Sequence, residues 1–206
     1  MNQPLPLRII KLGGSLLDYR PLPERFRDWS ENGVAARSLI VAGGGPFAES
    51  VRESQRRFQL SDAACHRLCM ELLNVTARLV YEILSPSIAC DWIDTDQQLR
   101  RYLDGGPGSR VGVVATGQLI DRTENTSPER RDRGLPQTWD VTSDSLALLL
   151  AIQLQADELV LLKSGPCPGF DWAERADAGY VDRHFPLLAD KFAGNIRAVH
   201  LRTELT

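Results

Sequence analysis

The sequence predicts a three-layer α/β/α sandwich around a central, mostly parallel sheet, and three observations carry that expectation. Short runs rich in β-branched residues recur between Gly and Pro, segments with helical spacing lie between them, and glycine clusters stand where the runs end. Strands that alternate with helices build parallel sheets covered on both faces. The strand runs are 7–12, 38–42, 110–115 and 158–162, with a weaker one at 197–201. Helical spacing marks 23–30 and 47–58. The clearest helix starts at Ser61, a side chain suited to an N-cap, and places Cys65, Leu68, Leu72, Val75, Leu79 and Ile83 on one face. Segments 143–155 and 186–192 complete the helices. The polar stretch 120–137 carries four Arg and two Pro and is long for a connection, which makes it a mobile loop or part of a site.

A length of 206 residues fits one compact domain with a core of its own. Hydrophobic residues at 43% and charged residues at 25% exclude disordered, collagen-like and coiled-coil classes. With 24 Lys and Arg against 27 Asp and Glu, the chain lacks the basic excess of a dedicated nucleic-acid binder, though a local basic pocket remains open to it. The longest apolar run, 146–152, is far short of the roughly 20 residues of a membrane-spanning helix. Residues 1–12 lack the pattern of a secretory signal, and Cys65, Cys69, Cys90 and Cys167 are too irregular for a disulfide framework. A cytoplasmic protein is the expectation, with neither a membrane nor a nucleic-acid partner.

Three constellations could carry chemistry. The first strand runs into Lys11-Leu12-Gly13-Gly14-Ser15, where paired glycines let backbone N–H groups approach an anion and a lysine adds full charge. The second strand runs into Gly43-Gly44-Gly45-Pro46. Both clusters fall at carboxyl ends of parallel strands, where open α/β sheets bind ligands; taken singly, each also reads as a tight turn. No Walker A pattern occurs. Gly43, Gly45 and Ala48 match a dinucleotide fingerprint only formally, because the acidic residue expected at the end of a second strand is Asp62, at the start of the long helix, and a dinucleotide enzyme stays as the runner-up reading. The third constellation, Trp139 to Ser145, sets Asp140, Thr142, Ser143, Asp144 and Ser145 at a helix start, more carboxylates and hydroxyls than capping requires. The following strand ends in Lys163-Ser164-Gly165.

In their order and spacing, the K-L-G-G-S strand end at Lys11, the G-G-G at Gly43, the T-S-D-S-x-A stretch from Thr142 to Ala147 and the L-L-K-S strand end at Lys163 resemble the amino-acid kinase superfamily, the aspartate, glutamate and uridylate kinases, over nearly the whole chain. The run 43–52, the Leu60-Ser61-Asp62 helix start with His66, and 135–145 are most similar to the aminomethylfuran phosphate kinases of methanofuran biosynthesis, a part of one-carbon metabolism. The resemblance implies a carbamate kinase-like fold in a single domain 1–206, with an acceptor lobe over 1–140 and a nucleotide lobe over 141–206. It implies transfer of the γ-phosphoryl of ATP to a small phosphate- or carboxylate-bearing acceptor, in a homo-oligomer. Catalytic roles fall to Lys11, Asp144 and Lys163 and phosphate contacts to Gly13, Gly14, Ser15 and Ser164, while Gly43, Gly44, Gly45, Arg52, Trp139 and Asp140 face the acceptor. Mg²⁺ would arrive with ATP and be organised through water near Asp144, without a dedicated protein site.

Two departures stand out: Pro166-Cys167-Pro168-Gly169 replaces the usual Asp-Gly turn after Lys163, and the last strand candidate has little sequence beyond it, so the nucleotide lobe reads as abbreviated. A non-catalytic metabolite-binding or storage protein on the same fold is the alternative. Asp140 stands where relatives with an N-acylated amino-acid acceptor commonly carry an amide, and invites either a protein cation, Arg52 or an arginine of the 130–133 loop, or an ammonium on the acceptor, with Trp139 stacking on its ring. Cys65, His66 and Cys69 read as helix-face residues rather than metal ligands, Arg130, Arg131 and Arg133 as a solvated loop, and Asp182 with His184 as a cap for the last helix.

Overall fold

The computed structural model describes residues 5–105, 110–119 and 135–203; the arginines at 130, 131 and 133 lie outside them. Chain order is β1 (Leu7–Leu12), a 3₁₀ turn (Gly14–Leu16), α1 (Leu22–Asn32), β2 (Arg37–Ala42), α2 (Gly45–Phe58), α3 (Asp62–Leu84), β3 (Cys90–Ile93), α4 (Asp96–Leu103) and β4 (Val111–Val114). It continues through α5 (Ser143–Gln153), β5 (Glu158–Lys163), α6 (Trp172–Asp177), α7 (Phe185–Ala189) and β6 (Asn195–His200). The described strands form one sheet in the order β3-β4-β2-β1-β5-β6, every neighbouring pair parallel. β1 sits at the reversal of strand order, between β2 and the later β5, so the ligand crevice of an open sheet belongs at its carboxyl end.

Alternation along the strands divides the core. Ile9, Leu39, Val41, Leu159 and Leu161 pack with α5 and α7 on one face, whereas Ile10, Leu12, Ile40, Val160 and Leu162 pack with Phe26 and Trp29 of α1 on the other. α5 is apolar on nearly all sides and buried accordingly.

The expected strands and helices are present with shifted ends, and β3, α4 and α6 are additions. β3 spans four residues including an Asp, too short for a periodicity signal. α4 carries a capping box, Thr95 accepting from Gln98 N while the Gln98 side chain accepts from Thr95 N. In α3 the expected face is rotated: Cys65 is buried, but Leu68 is 42% and Val75 55% exposed, and the buried face runs through Leu73, Ala77, Val80 and Leu84. Two adjacent apolar stripes share this helix, and spacing alone does not say which one meets the sheet.

The loops after β1 and β2 touch backbone to backbone. A Cβ on Gly14 would stand 2.1 Å from Gly45 N, one on Gly43 2.6 Å from Gly14 N, and one on Gly45 2.6 Å from Gly14 O. Gly45 also has φ of +53°, a conformation favouring glycine. Gly45→Ala is therefore expected to destabilise the protein by about 3 kcal/mol, whereas Gly165→Ala, in open space, stays within about 0.5 kcal/mol; denaturant unfolding of the two variants measures both.

Candidate active site

Two lysines converge because of strand register. Lys11 in β1 lies opposite Leu161 in β5, and Lys163 is two residues further on, so both side chains leave the same face of the sheet. α5 packs on that face and begins at the strand ends, where Thr142 caps it by accepting from Asp144 N at 3.4 Å. Asp144 therefore sits in the first helical turn, where the helix dipole favours a carboxylate. Its Oδ1 lies 2.9 Å from Lys11 Nζ and 2.9 Å from Lys163 Nζ, and Oδ2 accepts from Lys163 at 3.0 Å. Lys163 also donates to Tyr180 O at 2.5 Å and stands 5.0 Å from the Tyr180 ring centroid.

Lys11 and Asp144 are each 5% exposed, so one buried carboxylate is shared by two ammonium groups. Burial raises the Asp144 carboxyl, but Lys11 and Lys163 outweigh it and hold it below the usual carboxylate value. Burial, joined by repulsion from Lys11, pulls Lys163 down to about 8 against the opposing pull of Asp144. The fold thus disfavours the charged form of Lys163: its contribution to stability rises with pH between about 8 and the ordinary 10.5, where the unfolded chain holds more protons. The Asp144 contribution has the opposite sense, present above 3.8 and lost as pH falls through its depressed folded value.

Lys11 opens on a cavity of about 400 Å³, lined also by Gly14, Ser15, Gly43, Gly44, Gly45, Glu49, Arg52, His66 and Trp139. The N–H groups of Gly14, Gly44 and Gly45 donate to no acceptor among the described residues. Gly13 departs from expectation, since its N–H donates to Leu162 O at 2.8 Å and extends the sheet, as the Gly43 N–H does to Leu12 O at 2.8 Å. The Gly13 N–H is thus committed to the sheet. Ser15 and Ser164 meet through their hydroxyls at 2.7 Å across the ends of β1 and β5.

On the far wall the Arg52 guanidinium lies 4.5 Å from the Trp139 ring centroid, and Trp139 Nε1 donates to Gln55 Oε1 at 2.5 Å. Asp140 does not join them. It is exposed, it is absent from the described cavity lining, and its carboxylate pairs with no cation among the described residues. The turn that bonds Val141 N to Thr138 O sends Trp139 and Val141 inward and residue 140 outward, while the Asp140 carbonyl accepts from His184 N at 3.0 Å. Of the cations offered for Asp140, Arg52 is not the partner, since it stacks on Trp139 instead, and the arginines at 130, 131 and 133 lie outside the described residues.

Cys65 is buried, and burial first, then Cys65, pushes the Cys69 thiol up to about 11, which makes it an unreactive packing residue. Composition also carries a signal for the site: the chain has 24 basic residues but only three lysines, 11, 163 and 191, and two of the three meet at Asp144. Everywhere else positive charge is almost entirely arginine.

Residues 6–166 match the amino acid kinase family. The chain belongs to that family. A [5-(aminomethyl)furan-3-yl]methyl phosphate kinase of Methanocaldococcus jannaschii is 23% identical, over 95% of this chain and 88% of the relative. A uridylate kinase of Methanosarcina barkeri is 28% identical over 77% of this chain and 60% of its own length, so the chain spans less than two thirds of that relative. Among solved structures, UMP kinase from Bacillus anthracis superposes with a TM-score of 0.66 at 12% identity, covering 98% of this chain and 90% of that one. Uridylate kinase from Archaeoglobus fulgidus gives 0.58 at 15% identity, over 92% of this chain and 88% of that one. These likenesses establish the amino acid kinase fold expected from the motifs, and in this amino acid kinase Lys11, Asp144 and Lys163 meet at the carboxyl ends of β1 and β5.

An anion bound beside Lys163 restores its charged form. Calorimetric titration with pyrophosphate at pH 8, in buffers of different ionisation enthalpy, is expected to show net proton uptake that disappears in Lys163→Met, with affinity falling as pH rises above 8.

Proposed function

We propose that the protein transfers the γ-phosphoryl group of ATP to a small phosphate-bearing acceptor held in the glycine-walled cavity, an aminomethylfuran phosphate being the specific candidate. The observation that carries this reading is the buried Lys11–Asp144–Lys163 cluster, two ammonium groups on one carboxylate, opening on that cavity. Phosphoryl transfer asks for positioning and charge neutralisation more than for acid and base groups. Lys11 and the free Gly14 N–H supply the donors at the cavity floor, Asp144 fixes both ammonium groups, and Lys163 with Ser164 faces the nucleotide. An intact charged cluster favours a catalyst over a protein that only stores a ligand.

Both Asp144 oxygens are taken by lysine, and no three His, Cys, Asp or Glu side chains converge among the described residues. A Mg²⁺ ion fits only as part of the nucleotide, held by its phosphates and water near Asp144, where it would neutralise developing charge. Glu49 is the carboxylate in the described cavity lining, and Arg52 at 3.4 Å and Arg56 at 3.4 Å share it. It takes over from Asp140 as the candidate partner for an acceptor ammonium, with Trp139 as the aromatic wall.

The test is transfer from γ-labelled ATP to a panel of phosphorylated amines, phosphorylated alcohols and UMP. Transfer to the amine-bearing phosphate is expected, with Lys11→Ala lowering kcat about 10²- to 10³-fold, the scale for removing one preorganised electrostatic group. Transfer to no acceptor, or turnover indifferent to Lys11→Ala, overturns the reading. Within the panel, Glu49→Gln is expected to weaken the amine-bearing acceptor by about 1 kcal/mol, the scale for an exposed charge pair, while Asp140→Asn leaves it unchanged; KM values for acceptors with and without the amine decide this.

A further inference from the structure

Asp182 is 8% exposed and accepts six hydrogen bonds. Its Oδ2 accepts from Thr142 N at 2.8 Å, Thr142 Oγ1 at 2.9 Å and Ser145 N at 3.0 Å. Its Oδ1 accepts from Ser145 Oγ at 2.5 Å, His184 N at 3.2 Å and Phe185 N at 3.0 Å. Capping of α7 accounts for the last two. The other four come from the two residues that bracket Asp144 at the start of α5, and Thr142 Oγ1, having donated its proton to Asp182, accepts from Asp144 N at 3.4 Å. Two residues upstream, the Tyr180 carbonyl takes the Lys163 ammonium at 2.5 Å. One short segment therefore grips both the backbone under Asp144 and the head group of Lys163.

We propose, resting on the kinase reading above, that Asp182 is the positioning residue of the phosphoryl-transfer site, holding Asp144 between Lys11 and Lys163 through Thr142 and Ser145. Asp182 is not itself among the described residues that line the cavity, and it reaches the lining through Thr142. A carboxylate offers about four lone-pair directions, so six donors saturate Asp182 and leave it no acid–base role. What it fixes is geometry: without an anion there, the first turn of α5 has buried donors in need of partners and is free to rotate Asp144 off the lysines.

Asp182→Asn keeps the shape but turns one acceptor into a donor facing donors. In the full chain, folded as judged by circular dichroism, it is expected to lower kcat at least tenfold with KM for ATP within threefold. In the Asp144→Asn background it is expected to add less than threefold, because it acts through Asp144. A second readout is independent of turnover. With only three lysines, isotope-labelled lysine NMR resolves Lys163, and its titration, near 8 in the parent, is expected to move down by at least half a unit in Asp182→Asn as the ammonium loses its carboxylate. Should Asp182→Asn not fold, Ser145→Ala removes a single donor and is expected to move both readouts in the same direction. Equal losses in the two backgrounds, or a Lys163 titration that stays put or moves up, overturn the proposal. A parent protein without transfer activity counts against the kinase reading, while the Lys163 titration still decides the role of Asp182.

Discussion

One carboxylate shared by two buried ammonium groups is the constraint on which the rest of this molecule depends. Removing three charges from water costs several kcal/mol per ion unless attraction and hydrogen bonds offset it. Here the offset requires β1 and β5 to be neighbours in one register, so that Lys11 and Lys163 emerge on one face, and requires α5 to start where those strands end. It also leaves one more ammonium than carboxylate beside the cavity.

The Trp139 wall of the cavity is organised by a different kind of contact. Trp139 hangs from Gln55, which donates in turn to Asp62 at 2.7 Å, so a loop, α2 and α3 are joined by one line of side chains. Because the Gln55 amide nitrogen is committed to Asp62, its oxygen must face the indole, and the plane of Trp139 is set from outside the cavity. Arg52 rests on that plane with its guanidinium 4.5 Å from the ring centroid. Electrostatics anchors the deep end of the pocket, and aromatic stacking shapes its mouth.

Much of this was legible in the sequence because it is written in local signals. Strand runs followed by Gly-rich turns located Lys11, the triple glycine and Lys163, and the hydroxyl-rich helix start located Asp144. What escaped depends on direction or on distance along the chain. Spacing cannot say which of two apolar stripes on α3 faces the sheet, nor that a turn sends Trp139 inward and Asp140 outward. A glycine's N–H serves a ligand or a neighbouring strand with no difference in sequence, and Gly13 serves the strand. Asp182 was legible as a cap for α7, but its grip on Thr142 and Ser145 bridges separations of 40 and 37 residues, which no local pattern carries.

The contact between the loops after β1 and β2 has a consequence for the history of such a chain. Most close packing tolerates drift, since a larger residue on one side is matched by a smaller one opposite. At Gly14, Gly43 and Gly45 the clashing atoms are main-chain N, O and Cα, which every amino acid possesses. No second substitution at the partner position relieves the first, so the three glycines form a commitment without a compensating route, and descendants that keep this pocket keep all three.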